Sequence, residues 1–156
     1  MSQSKVCMTK AQMKVEFQIF QTDSIVDVLN NICEYLQANY SHSKKIAILA
    51  PQGLAKELDS KLWQADTENF LPHFCAISSK QYNSHTNIPV LITDNMFILS
   101  EFDELINLMD IAIDNSKIKI SKLTEIVYQA DKPLASSRKK YMFYKKAGLE
   151  VSNSKM

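Results

Sequence analysis

Glycine is the first scarcity: the 156-residue chain has two, Gly53 and Gly148. A dinucleotide-binding GxGxxG turn or a GxxxxGK[ST] phosphate loop cannot be written with them, because both need several glycines close together. The three cysteines, Cys7, Cys33 and Cys75, are odd in number and far apart. They form no CxxC or Cys/His ligand spacing, so no metal site or disulfide framework is expected, which fits a reducing compartment. His42 and His85 sit in polar loops. His73 follows Pro72 in an aromatic turn, which suits a structural hydrogen bond or a partner contact better than a base. Asp103 and Glu104 look like a solvated turn. No nucleophile elbow or cysteine-centred signature occurs, so neither catalysis nor a cofactor is expected. No apolar run reaches the roughly 18 residues of a membrane span, and no signal-peptide pattern opens the chain. A soluble cytoplasmic protein is expected.

Arginine is scarcer still. Arg138 is the only one; the other seventeen basic residues are lysines. A net charge of +1 argues against coating nucleic acid by bulk electrostatics. The charge is nevertheless uneven, with acids and no base from Asp94 to Asp114 and no acid from Pro133 to Gly148.

What is present is ordinary globular material, 46% hydrophobic and 22% charged, enough for one domain. Residues 1–12 lack a period and are expected to be a disordered extension; Met13 could equally be a start. Val15, Phe17 and Ile19 alternate as in a strand. Thr22, Asp23 and Ser24 offer caps to a helix carrying Ile25, Val28, Leu29, Ile32, Tyr35 and Leu36 to about Ala38. Residues 45–50 form a short apolar strand of the doubly buried kind. Pro51, Gln52 and Gly53 turn into a second helix bearing Leu54, Leu58 and Leu62 and ending near Trp63. A brief strand is expected at 74–77, a loop at 78–87 and a strand at 89–93. Residues 97–113 fit a helix by spacing, while 104–109 could be a buried strand. Residues 123–128 give a final strand. This order predicts a right-handed α/β core in three layers, with a mostly parallel twisted sheet flanked by helices.

Two stretches stand out. Trp63 is followed, across a break at 66–69, by Phe70, Leu71, Pro72 and His73. These residues either fill the core or make a protein-binding hot spot, where tryptophan is favoured. The second stretch is a helix that Pro133 can open and Gly148 can close. Along it Arg138, Met142 and Lys145 share one line, with Tyr141 at one edge and Lys146 at the other, while Phe143, Tyr144 and Ala147 point away towards a core. Either this is a solvated lysine face, or it grips an acidic peptide ending in an apolar residue, since guanidinium binds carboxylate bidentately.

Together these stretches resemble the chi subunit of bacterial DNA polymerase III. Lys61, Leu62 and Trp63, followed after six residues by Phe70, Leu71, Pro72 and His73, look like that family's tryptophan-to-FxPH segment. Arg138, Tyr141, Tyr144, Ala147 and Gly148 look like its C-terminal helix. The opening strand after Met13, residues 104–108 and residues 124–127 add weaker support. The resemblance covers about Met13 to Val151, as a single chi-like domain with 152–156 left as a flexible tail. It implies a mononucleotide-binding-like fold without a nucleotide site, a strand at 104–109, and a non-catalytic subunit of the clamp-loader assembly. It also implies two partners. Trp63, Phe70, Leu71, Pro72 and His73 would face the psi subunit, which ties chi to the clamp loader. Arg138, Tyr141, Met142, Lys145 and Lys146 would hold the acidic C-terminal tail of single-stranded DNA-binding protein (SSB), so that contact with DNA is mainly indirect. The sequence departs from the family at Met142, where a basic residue is usual; Lys146 lies on the neighbouring line. The alternative is a module that binds single-stranded nucleic acid directly, with Tyr141 or Tyr144 stacking on bases.

Overall fold

The computed structural model describes residues 13–40, 44–64, 71–77, 88–96, 99, 102–114, 116, 118 and 120–155. The extension 1–12, His42, Phe70 and the loop 78–87 with His85 lie outside them.

Strand and helix alternate in the first half of the chain. Strand β1 is Lys14–Ile19, helix α1 Ile25–Asn39, β2 Ile46–Leu49, α2 Gln52–Trp63 and β3 His73–Ala76. Then come β4 Val90–Thr93, β5 Glu104–Asn107, β6 Lys122–Val127, α3 Asp131–Lys146 and β7 Glu150–Lys155. The strands form one sheet in the order β3-β4-β2-β5-β6-β1-β7. Every pairing is parallel. The expected α/β architecture is therefore present, and fully parallel among the described strands.

Strands β2 and β4 are buried at every position, as unbroken apolar runs must be when helices cover both faces. Ser24 caps α1 by accepting from the Asp27 amide at 3.4 Å. The stripe Val28, Leu29, Ile32 and Leu36 then packs with Ala55, Leu58 and Leu62 of α2 on Ile46, Ile48, Val90, Ile92, Ile106 and Ile126. The opposite face is covered by α3 and the segments before β5 and β6. Here Tyr144, Leu99, Phe102, Ile113 and Ile118 meet Val15, Phe17, Leu49, Leu105 and Leu123. These are the three layers.

Residues 104–107 are a strand because β2 and β6 flank them and satisfy both backbone edges, which outweighs the helical spacing of the surrounding side chains. Two expectations are corrected. Glu104 is not in a solvated turn: it is buried, accepts from Tyr35 Oη at 2.8 Å and pairs with Lys44 at 2.7 Å. Burial, then this hydrogen bond, pushes the Tyr35 phenol up. Nor are residues 152–155 a loose tail: they complete β7, in register with β1 from Lys14↔Glu150 to Ile19↔Lys155. Backbone pairing holds them, so their polar side chains gave no hydrophobic signal.

Candidate functional site

Helix α3 begins at Asp131 after Ala130, with Pro133 in its first turn, where a missing N–H costs nothing. It ends in a left-handed cap at Gly148, φ +77°. The Gly148 amide donates to Lys145 O at 3.0 Å and the Leu149 amide to Tyr144 O at 3.2 Å, with Leu149 buried beneath. This is the Schellman arrangement, which turns the chain directly into β7.

The rotation of α3 about its axis is set by a buried polar network. Lys140 Nζ donates to Glu125 Oε1 at 2.9 Å and to the Met109 carbonyl. Tyr144 Oη donates to Glu125 and accepts from the Ile113 amide at 2.9 Å. Asn107 Nδ2 adds a bond to Glu125 Oε2 at 2.9 Å. Burial pushes the Glu125 carboxyl up, against the opposing pull of Lys140, Tyr144 and Asn107. The Tyr144 phenol is pushed up by burial and by the neighbouring Glu125 charge. Lys140 and Tyr144 are four residues apart and so share the inward face. The expected inward set of Phe143, Tyr144 and Ala147 is therefore corrected. Only Tyr144 of the three is buried, Phe143 and Ala147 are exposed, and Lys140 faces inward in their place.

With α3 held this way, Leu134, Arg138 and Tyr141 look sideways towards β1 and β7. They form, with Ser137, Met142, Phe17, Ile19, Val127 and Asn153, a pocket of about 360 Å³ with almost wholly apolar walls. Tyr141 stands edge-on to Phe17, with centroids 5.9 Å apart. Lys145 Nζ lies 5.9 Å from the centre of the Tyr141 ring. Of the five residues assigned to this helix face, Arg138, Tyr141 and Met142 thus line one cavity and Lys145 flanks it. Lys146 is exposed and not part of the lining. An apolar pocket rimmed by one guanidinium suits an apolar side chain beside a carboxylate. Its floor, Phe17, Ile19, Val127 and Asn153, escaped the sequence reading because the strands supplying it are distant in the chain. A sequence signal for the network did exist: Glu125 stands among Leu123, Ile126 and Val127 in an expected strand, and a carboxyl buried there calls for a partner.

The second group is split by depth. Trp63, at the end of α2, is 59% exposed. Its ring lies 5.0 Å from that of His73. His73 is buried, with Nδ1 2.7 Å from Leu71 O and Nε2 3.1 Å from Asp59 Oδ1. Leu71 is fully buried and Pro72 half-buried. Trp63 is thus the group's exposed member among the described residues, with the His73 ring packed beside it. The two surfaces flank opposite sides of the sheet, since β3 and β7 are its first and last strands among the described residues.

Tyr144, offered as a base-stacking residue, is buried and cannot stack. Among the described residues, no group of His, Cys, Asp and Glu could hold a metal ion, and no helix is long and apolar enough to cross a membrane.

In fold, the chain resembles the C-terminal domain of the DEAD-box protein Dbp5, with a TM-score of 0.60 and 13% identity over 94% of this chain and 92% of that one. At that identity the likeness concerns the fold alone. No curated protein sequence matches the chain. The family model for "DNA polymerase III chi subunit, HolC" matches residues 13–152, from the first residue of the core into β7. The chain therefore belongs to the DNA polymerase III chi subunit family, whose work is DNA replication.

Proposed function

We propose that this protein is a non-catalytic, cytoplasmic adaptor of the DNA polymerase III holoenzyme that links SSB to the clamp loader. The observation that supports this most is the separation of its two surfaces. The sheet has seven strands among the described residues, so at about 4.8 Å between neighbours β3 and β7 lie roughly 29 Å apart. Two partners can then be held at once without competing. On the β3 side, Trp63 and Pro72 receive a psi-like subunit, with Leu71 and His73 as support; Phe70 is assigned to the same partner by the family resemblance alone. On the β7 side, the pocket takes the last side chain of the SSB tail. Arg138 pairs with the terminal carboxylate or tail acids, and Lys145 and Lys146 add a positive field. A single tail binds at about micromolar strength, roughly −8 kcal/mol; several tails presented along coated DNA raise the effective affinity.

The test is a titration with a fluorescent SSB tail peptide at two salt concentrations. Arg138→Ala should weaken binding by about 1.5–3 kcal/mol, as expected for hydrogen bonds to a charged group. Arg138→Lys should recover only part, since lysine lacks the fork geometry. Lys139→Ala should cost much less and mainly flatten the salt dependence. Equal losses for Arg138→Ala and Lys139→Ala would indicate a diffuse basic patch and remove the specific pocket.

A further inference from the structure

The pocket borders the last described strand of the sheet, since Asn153 of β7 is part of its lining. Strand β7 is terminal in the sheet, hydrogen-bonded to β1 on one side. Its alternate residues face α3: Val151 packs against the core beneath that helix, and Asn153 lines the pocket opposite Phe17. Beside the side of α3 that carries Arg138, Tyr141 and Met142, β7 turns outwards one rank of backbone N–H and C=O groups that no described strand pairs.

Edge strands are normally blunted by charged side chains, lysine above all, by proline, by bulges or by a covering element. Among the described residues, none of these guards the centre of β7. It reads Ser152, Asn153, Ser154, small polar side chains that let another backbone approach, and its charges stand at the ends, Glu150 and Lys155. Lys155 is in register with Ile19, a pocket residue, so the positive end of the strand coincides with the pocket and with Arg138. That polarity matches an acidic, extended peptide whose terminus lies at the pocket.

We infer that the acidic tail binds by strand addition: its backbone pairs with the outer edge of β7 as an added strand while its last side chain fills the pocket. This rests on the tail-binding function proposed above and states how the tail is held. Main-chain hydrogen bonds supply affinity along the edge, and the pocket reads the terminal residue, the division of labour seen wherever peptides extend a sheet next to a helix. The Arg138 contact alone would leave the rest of the peptide unordered.

Amide-to-ester replacement tests this without altering the protein. A roughly ten-residue SSB tail peptide is prepared with each of its last several amides replaced in turn, and each is titrated against the wild-type chain and Arg138→Ala. Strand addition gives a period-two pattern, alternate positions losing about three- to tenfold and the intervening ones little. A flat profile, with Arg138-dependent binding of the parent peptide intact, would overturn strand addition and leave the tail site standing. Failure of the parent peptide to bind would overturn both. Sedimentation equilibrium supplies the remaining arm. Because Glu150 and Lys155 would face each other across an antiparallel pair of β7 strands, a dimer dissociated by Lys155→Glu would mean that a second copy occupies the edge, and would overturn the inference.

Discussion

Replacing Lys140 by methionine probes the contact that orients α3. The Lys140 side chain is 6% exposed and that of Glu125 is 1% exposed. Methionine keeps most of the volume and the unbranched stem, so little cavity is created. What is lost is the cation beside Glu125, which retains only Tyr144 Oη and Asn107 Nδ2. Breaking a buried pair by removing one partner costs about 3–5 kcal/mol, a large part of the roughly 5–15 kcal/mol by which such domains are stable. Adding Glu125→Gln should restore much of the loss, because the amide can still bond to Tyr144 and Asn107 without carrying charge. The coupling energy of the cycle should therefore exceed about 2 kcal/mol. The pH dependence has a definite sign. Burial already raises the Glu125 carboxyl, and losing Lys140 raises it further. Stability tied to a raised carboxyl is fully present below the unfolded value of about 4.3 and lost as pH rises through the folded one. The Lys140→Met deficit should thus grow from pH 5 to pH 8, and urea denaturation at both pH values, with unchanged slopes, measures it. A coupling energy below about 0.5 kcal/mol, or a deficit independent of pH, would show that Lys140 and Glu125 do not form a buried pair.

Three further outcomes are expected. Tyr144→Phe should cost about 1–3 kcal/mol in the same denaturation assay, since it leaves the Ile113 amide and Glu125 each short of a buried partner. Trp63→Ala should leave stability within about 0.5 kcal/mol, as for exposed positions generally, yet weaken binding to a psi-like subunit by at least about 2 kcal/mol in calorimetry, the hot-spot range. Truncation after Val151 should destabilise the fold by about 1–3 kcal/mol, because the lost residues of β7 pair with β1; a tail that merely hung free would leave the melting curve unchanged.

The two scarcities of glycine and arginine carried much of the functional reading. Two widely separated glycines rule out the glycine-rich GxGxxG and GxxxxGK[ST] turns, and a lone guanidinium marks one helix wherever that helix packs. Apolar period and capping residues likewise placed α1, α2 and α3 nearly to the residue, because these signals act between neighbours three or four positions apart. Residues 104–107 lay beyond that reach. Their local spacing allowed a helix, and only pairing with β2 and β6 selects the strand. The same limit hid β7, whose Ser152, Asn153 and Ser154 have no apolar pattern and are ordered by the backbone of β1. Lys140 looked like one more solvated lysine until the fold set it against Glu125, fifteen residues earlier on another element. The pocket depends on tertiary structure in the same way. Arg138, Tyr141 and Met142 are its visible rim, but Phe17, Ile19, Val127 and Asn153 reach it from three strands that meet only when the sheet closes. Local periodicity determines which face of a helix is apolar; what that face meets is decided by long-range strand order, which no short window of sequence contains.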